Sequence, residues 1–311
     1  MKRLAKPIVE IIIDEYGEKG FLERISNPIF FQAFSNILGF DWNSSGSTTV
    51  LIGVLKSVLN TEEFDVKVAG GKGRSALKTP EEIVSLGGDD RLVRISRLVA
   101  KVDNALVQDG YDIYAHAVFF SKRRWTVVQQ GMNVNLGMAR RYHWDVRSGD
   151  VDVEEPHSGI VALRREREVI NLTSRRSGEA RKTILDIVRD RDFRRYDLPK
   201  RIDWKALEKA YELQPERFED LLLVRGLGKE TIRALVLIAD LIYNVEYDRT
   251  DPAKYCFAMG GKDGVPFPVN RKVYDEVIEF MRSVVEQARI GEFERMKILK
   301  RLSNVLGSKN G

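Results

Sequence analysis

The stretch YDIYAHAVFFSKRRWTVVQQGMN, residues 111–133, decides the fold because the period of the sequence changes here. Aromatic and β-branched residues are enriched on both sides of Lys122 and Arg123, which predicts two strands joined as a β-hairpin. Further strands are predicted in GIVALRREREVINLTS, residues 159–174, and in FDVKVAGGKG, residues 64–73, before its glycine turn. Most of the remaining chain has the apolar spacing of amphipathic helices.

The order of these segments predicts an α+β protein. We expect a mixed domain over residues 1–175, in which a small antiparallel sheet is flanked by helices. Residues 176–311 are expected to form an all-helical domain, since the helical period returns there. A chain of 311 residues is long enough for two such domains.

Composition excludes some classes of protein. The single cysteine, Cys256, excludes an internal disulfide framework and an all-cysteine zinc site. The apolar run near the N-terminus is interrupted by Glu10 and Asp14, so neither a signal peptide nor a membrane span is predicted, and we expect a cytoplasmic protein. Charged residues of both signs make up 31% of the chain, which is compatible with a thermophilic source. The net charge of +5 permits a polyanionic partner.

The segment FEDLLLVRGLGKETIRALVLIADLIY, residues 218–243, resembles the helix-hairpin-helix of DNA repair proteins. Gly226 and Gly228 would let the backbone turn tightly and present N–H groups to a phosphate. Lys229 would add a charge and Thr231 a hydroxyl contact. Such contacts grip the backbone without reading sequence. The alternative is an ordinary helical hairpin that ends in a glycine cap.

Two glycine-rich turns are further candidates for phosphate contacts. AGGKGR would supply Lys72 and Arg74, and GGKD would supply Lys262. Both are equally compatible with solvated surface turns. Neither has the spacing of a nucleotide-hydrolysing loop, so no nucleotide cofactor is expected.

The three histidines of the chain, His116, His143 and His157, lie in one short region of the sequence. His116 and Gln129 could lie on one face of the hairpin, depending on its register. A histidine there could act as general acid or base, and histidines with a carboxylate could bind a metal. The alternative is that the histidines satisfy buried hydrogen bonds in an aromatic core.

Neighbouring residues complete the predicted site. Arg140 and Arg141 would clamp phosphate, and Gln129 and Gln130 would position water or a base edge. Asp103 and Asp109 would hold a divalent cation, Mg²⁺ or Mn²⁺, as in metal-dependent nucleases. The alternative for the two aspartates is a helix end followed by a turn at Asp109-Gly110.

Seven segments together resemble a family of archaeal and bacterial proteins, the domain-of-unknown-function family 763. They are GFDWNSSGSTTVLIGVLK, VAGGKG, AKVDNALVQDGYDIYAHAVFF, WTVVQQGMN, ARRYHW, EEPHSGI and MGGKDGVPFPV. The resemblance covers nearly the whole chain and implies no particular reaction. In the family a histidine often stands where this chain has Asn43 or Ala115, which shifts weight to the three histidines present. Other members of the family often have an aspartate at the position of Asn270, so a carboxylate is not required there.

These features favour a nucleic-acid-processing enzyme, a DNA phosphodiester hydrolase acting in repair or recombination. A non-enzymatic DNA-binding or repair-scaffold protein is the main alternative. A DNA glycosylase is less favoured, because Asn270 follows the hairpin where glycosylases carry an aspartate and an amide cannot ionise. An RNA-acting enzyme is the remaining alternative, since backbone contacts do not report the sugar.

Overall fold

The structure is a computed structural model that describes residues 1–40, 46–196, 202–255 and 271–307. It is a mixed α+β protein with a small antiparallel sheet flanked by helices, as expected from the sequence. Cys256, Lys262, Asn270 and Asn43 lie outside the described residues. Within the described ranges, no helix combines the length and the apolarity needed to cross a membrane.

The strands confirm the predicted hairpin and add two that were not predicted, β2 and β5. They are β1 (Lys67–Lys72), β2 (Val107–Gln108), β3 (Asp112–Phe120), β4 (Trp125–Asn133), β5 (Met138–Trp144), β6 (His157–Val161) and β7 (Ile170–Asn171). The main sheet has the order β1-β3-β4-β5-β6, and every neighbouring pair in it is antiparallel. Strand β5 is formed by MARRYHW, to which the sequence analysis assigned no strand. The expected third strand is two short ones, β6 and β7, and β7 pairs with β2.

The helices are α1 (Lys2–Ser26), α2 (Pro28–Ile37), α3 (Gly46–Leu59), α4 (Arg74–Leu77), α5 (Thr79–Ser85), α6 (Asp90–Lys101), α7 (Gly178–Arg189), α8 (Trp204–Leu213), α9 (Phe218–Leu222), α10 (Lys229–Leu241), α11 (Arg271–Gln287) and α12 (Glu292–Gly307). Local signals set their starts. The Asn27 side chain accepts from the N–H groups of Ile29 and Phe30 at the start of α2, and Asp89 caps α6 by accepting from Leu92. A π-helical turn, Val102–Leu106, extends α6 toward the sheet.

The sheet separates two hydrophobic cores, because side chains alternate between its faces. Val118 and Phe120 of β3 pack into the first core with residues of α6, α7 and α10. Ala117 and Phe119 of β3 pack into the second core with residues of α1, α2, α3, α11 and α12. Both cores therefore include residues from each side of the predicted boundary near residue 175.

Helices α9 and α10 are joined by a bend at residues 223–228, hereafter the glycine bend. Gly226 has φ 95°, a conformation that favours glycine. Val224 and Leu227 are buried, while Arg225 and Gly226 are exposed. The order helix, bend, helix agrees with the sequence-based expectation, and the assignment of a helix-hairpin-helix stays a prediction.

Candidate functional site

The sheet brings the predicted site residues together in two groups, one on each face. Residues directly opposite each other in neighbouring strands share a face. His116 is paired with Gln129, and their side chains lie on the face of the first core. Gln130 is paired with Arg141, whose side chain reaches α2 and α3 on the face of the second core. The seven predicted catalytic side chains are therefore divided between two sites.

On the first face, Asp103 is the centre of a buried hydrogen-bond network. Its Oδ1 lies 2.7 Å from Nε2 of His157. Its Oδ2 accepts from Nε1 of Trp144 at 3.0 Å and from the side-chain amide of Gln129. All four of these side chains are buried. The predicted metal ligand Asp103 thus accepts from three protein donors.

The network continues from Gln129 to His116 and then to Ser96. Because a carboxylate only accepts, the Gln129 atom beside Asp103 is its NH₂ group, and its Oε1 faces His116. Nδ1–H of His116 therefore donates to Oε1 of Gln129 at 2.7 Å. Its Nε2 accepts from the Ser96 hydroxyl at 2.8 Å. Burial lowers the pKa of His116 below its ordinary value, so the ring is neutral near pH 7.

A second network on the same face surrounds Arg140. Its guanidinium donates to Oδ2 of Asp109 at 2.8 Å and to Oδ2 of Asp251 at 2.8 Å. Asp109 also accepts from the Tyr142 hydroxyl at 2.7 Å. All of these side chains are buried. Arg140 therefore joins β5 to two segments that are distant in sequence.

Burial also determines the charges of this second network. It raises the pKa of Asp109 to about 6, and Arg140 and Tyr142 oppose that change. Burial acts to lower the pKa of Arg140, but the carboxylates of Asp109 and Asp251 outweigh it and raise that pKa. Two carboxylates share one guanidinium in a buried network, which disfavours the second negative charge.

The predicted metal ligands Asp103 and Asp109 do not share a hydrogen-bond partner. Each accepts from a separate set of protein donors. Over the described parts of the chain, no group of three or more histidine, cysteine or acidic side chains could hold a metal ion. A divalent cation at these residues stays a prediction.

On the second face, Arg141 is buried, and no acidic side chain of the described residues pairs with it. Its Nη1 donates to Oε1 of Gln32 and to Oγ1 of Thr48, each at 3.2 Å, and its Nη2 donates to the carbonyl of Pro28 at 3.4 Å. Its Nε has no hydrogen-bond acceptor among the described residues. Burial lowers the pKa of Arg141 to about 9, and no described carboxylate opposes that effect. The network of Arg141 therefore differs in kind from that of Arg140.

A row of side chains crosses the second face from the edge strand to Arg141. Lys72 is opposite Ala115, Ala115 is opposite Gln130, and Gln130 is opposite Arg141. A β-bulge at Tyr114 lets its hydroxyl accept from Nε2 of Gln130 at 2.7 Å. The ammonium group of Lys72 lies 5.6 Å from the centre of the Tyr114 ring. We call Lys72, Ala115, Gln130 and Arg141 the polar row.

His143 lies on the second face, two residues along β5 from Arg141. Nδ1–H of its ring donates to the carbonyl of Ile25 at 3.2 Å, and Nε2 has no partner among the described residues. Burial, followed by the charge of Arg141, lowers the pKa of His143 well below its ordinary value. The ring is therefore neutral.

The residues predicted to bind nucleic acid are partly engaged with the protein. Lys229 pairs with Asp112, and Thr231 is buried. The ammonium group of Lys101 lies 2.6 Å from the carbonyl of Leu227, which fixes the glycine bend to the end of α6. Arg74 is exposed, and Gly228 is the residue before α10.

A family model matches most of the chain. The model described as protein of unknown function (DUF763) matches residues 1–269. The chain belongs to this family. Both faces of the sheet and the glycine bend lie within the region matched by the family model. Neither a curated protein nor a solved structure matches the chain.

Several residues of these networks were missed by the sequence analysis. Asp251 and Ser96 are distant in sequence from their partners Arg140 and His116, and no local spacing connects them. Gln32 and Thr48 contact Arg141 from α2 and α3. A polar residue inside the apolar run FFQAF was the one available signal for Gln32, because a glutamine there must find a partner when buried.

Proposed function

We propose that the protein binds nucleic acid through its phosphate backbone, along the exposed side of α6 and the glycine bend. The observation that carries the proposal is the contact of Lys101 with the carbonyl of Leu227, which holds the bend against α6. This contact joins two features that each suit phosphates, a row of cations and the start of a helix.

The cations of α6 repeat along one side of the helix. Arg91, Arg94 and Arg97 are exposed and three residues apart, and Lys101 follows after four. Residues with this spacing line one face of a helix. The row from residue 91 to residue 101 is about 15 Å long, the length of about four or five phosphates along one strand.

The glycine bend adds donors at one end of this row. Arg225 and Gly226 are exposed and Gly228 is partly exposed just before α10, a helix of 13 residues, and the carboxylate of Asp203 lies beside Gly226. The N–H groups at a helix start attract anions. Glu230, in the first turn of α10, opposes this attraction, so the cations of α6 and Arg225 supply most of the favourable charge.

A surface cavity lies at the other end of α6. It has a volume of about 680 Å³, and its lining includes Arg91 and the hairpin turn Lys122, Arg123 and Arg124. Asp65 and Asp89 also line it, so cations outnumber acids around the opening. A strand that follows α6 from the bend would reach this turn.

Several of these cations already form ion pairs. Arg91 pairs with Asp150, Arg94 with Asp220 and Lys229 with Asp112. Exposed pairs of this kind are worth about 0–1 kcal/mol, so a phosphate can compete for the cation. Contacts of this kind do not read base sequence, and DNA is the partner favoured by the resemblance of residues 218–243 to DNA repair proteins.

Hydrolysis of the bound strand is the second candidate function. The order Ser96, His116, Gln129, Asp103 favours it, because a hydroxyl bonded to a neutral imidazole is the arrangement used in proton transfer. Burial of all four side chains opposes it. We therefore propose nucleic-acid binding as the primary function and hydrolysis of the bound strand as the second candidate.

The test measures binding and cleavage in one series. Fluorescently labelled single-stranded, duplex and branched DNA, and RNA of the same sequences, are titrated with the whole chain at several salt concentrations. We expect binding that weakens steeply with salt, as phosphate contacts require. Absence of binding to every nucleic acid at low salt would rule out the proposal. Gels of the same mixtures with and without Mg²⁺ or Mn²⁺ report cleavage independently.

A further inference from the structure

We propose that the second face of the sheet carries a site for a tetrahedral oxyanion, a phosphate or a phosphate monoester, formed by Lys72, Gln130, Arg141 and the start of α3. This site lies on the opposite face of the sheet from α6 and is independent of the proposed nucleic-acid surface.

Arg141 has hydrogen-bonding capacity that the described residues do not meet. A guanidinium has five N–H donors, and a buried one is stable only when acceptors satisfy them. Nε of Arg141 has no acceptor among the described residues, and no described carboxylate balances its charge. Nδ2 of Asn36 is a second buried donor without an acceptor in the described ranges. Asn36 is joined to Arg141 through Gln32, so both donors belong to one cluster.

The register of the sheet aligns Lys72 with Arg141 across the second face. The polar row places Lys72 and Arg141 on one face of the sheet, with Gln130 between them. The fourth member, Ala115, has only a methyl side chain, which extends little above the sheet. The strand positions of Lys72 and Arg141 are three strand spacings apart, about 14 Å. Their long side chains extend from opposite ends of that span. Lys72 is exposed, so the row leads from the surface to the buried guanidinium.

Helix α3 crosses the same face of the sheet. Its first turn meets Arg141 at Thr48, and Lys56 near its other end donates to the carbonyl of Gly70 in β1 at 2.8 Å. Thr48 and Lys56 are eight positions apart along the helix, a rise of about 12 Å, which is close to the width of the polar row. The N-terminal end of this 14-residue helix, which favours negative charge, is therefore held beside Arg141.

Phosphate chemistry fits this combination of groups. A planar guanidinium binds two oxygens of one phosphate, an ammonium adds a point charge, and a helix start adds favourable dipoles. A chloride ion has no separate oxygens to satisfy donors from several directions. The site should therefore prefer an oxyanion to chloride.

The test uses the whole chain with two probes, inorganic phosphate and glycerol 3-phosphate, in isothermal titration calorimetry and thermal unfolding at constant ionic strength set with sodium chloride. We expect both methods to detect phosphate binding that chloride does not reproduce. Lys72→Met should weaken it about tenfold, because one charge-assisted contact is lost. Lys205→Met removes an exposed lysine from α8 and should leave it unchanged.

Arg141→Lys provides the second variant, because it keeps the charge and removes the planar fork. It should bind phosphate at least about tenfold more weakly than the wild type. If this variant does not fold, Lys72→Met alone decides the matter, since Lys72 is exposed. Tighter binding of glycerol 3-phosphate identifies a monoester as the ligand, and tighter or equal binding of inorganic phosphate identifies the free anion. The proposal is overturned if phosphate acts no differently from chloride, or if Lys72→Met binds it as Lys205→Met does.

Discussion

Asp103 and His157 are joined by a hydrogen bond of 2.7 Å that ties the π-helical turn after α6 to the last strand of the main sheet. Asp103 also holds Gln129 of β4 and Trp144 of β5, so one carboxylate connects three strands to the helical layer above them. No local spacing within residues 103–157 predicts that the side chains of Gln129, Trp144 and His157 meet at Asp103. They meet because β4, β5 and β6 are neighbours.

Asp103→Asn should destabilise the protein strongly. The amide cannot accept from all three donors and places its own NH₂ group against one of them. Hydrogen bonds to a charged group are worth about 1.5–3 kcal/mol each, so we expect a loss of at least about 2 kcal/mol in the free energy of unfolding. Urea denaturation measures it. Asp150→Asn, at an exposed acid paired with Arg91, is the matched control and should change stability by less than about 0.5 kcal/mol. Equal stabilities of the two variants would contradict the role given to Asp103.

Arg140→Met should cost about 3–5 kcal/mol in the free energy of unfolding. The substitution keeps the apolar stem but leaves the carboxylates of Asp109 and Asp251 buried without a counter-ion. Arg175→Met is the control, because the Arg175 side chain is 82% exposed and its pair with Glu154 is worth little. A loss for Arg140→Met no larger than that of the control would show that the buried pair does not stabilise the fold.

Stability should fall as the pH drops below the ordinary pKa of histidine, and His143 should account for part of that fall. Its pKa is lowered in the folded protein, so between the folded and unfolded pKa values the unfolded chain binds more protons. His143→Asn keeps a donor for the carbonyl of Ile25 and cannot titrate. Between about pH 7 and pH 5 it should lose less stability than the wild type. The pKa of Asp109 is raised to about 6, so protonation of Asp109 increases the free energy of unfolding as the pH falls. This effect is the same in the wild type and in His143→Asn. Parallel stability curves would contradict the prediction.

Gly226→Ala should destabilise the glycine bend more than the same change at a free turn. A Cβ at Gly226 would lie 2.6 Å from Oδ2 of Asp203 and 2.9 Å from Cβ of Ala206, in addition to the strain of φ 95°. Gly137 has φ 63° with nothing within 4 Å, so Gly137→Ala measures backbone strain alone. We expect a loss of about 1–3 kcal/mol at Gly137 and a clearly larger one at Gly226. Equal losses would mean that the bend is not packed against α8.

Local pattern predicted the sheet better than it predicted the site. Alternation of residues in β3 and β4 and the basic turn between them were sufficient to predict the hairpin, but they left its register open. Parity along the two strands allowed His116 and Gln129 to share a face in one register, and the structure has that register. The bulge at Tyr114 and the strand β5 were not anticipated, since paired arginines have no strand preference of their own.

The separation of Arg140 from Arg141 shows why the rest could not be read from the sequence. Adjacent residues of a strand point to opposite faces, and once ARRYHW is a strand the two arginines must occupy different sites. Their environments then depend on residues far along the chain, Asp251 for one and Gln32 with Thr48 for the other. Because Arg140 and Arg141 are adjacent in sequence, they were predicted to clamp one phosphate together. Their side chains lie on opposite faces of the sheet, so they cannot contact the same phosphate.

The salt dependence of nucleic-acid binding shows whether phosphates lie along α6 and the glycine bend. The measurement compares the wild type with the double variant Arg97→Gln/Arg225→Gln, which changes two exposed cations, and with Arg289→Gln, at an exposed cation after α11. We predict that the double variant binds more weakly and that its slope of log K against log salt is smaller by about 2, one for each phosphate contact. Arg289→Gln should keep the wild-type slope. If the double variant binds with the affinity and slope of the wild type, phosphate does not lie along α6 and the glycine bend, and the proposed surface is wrong.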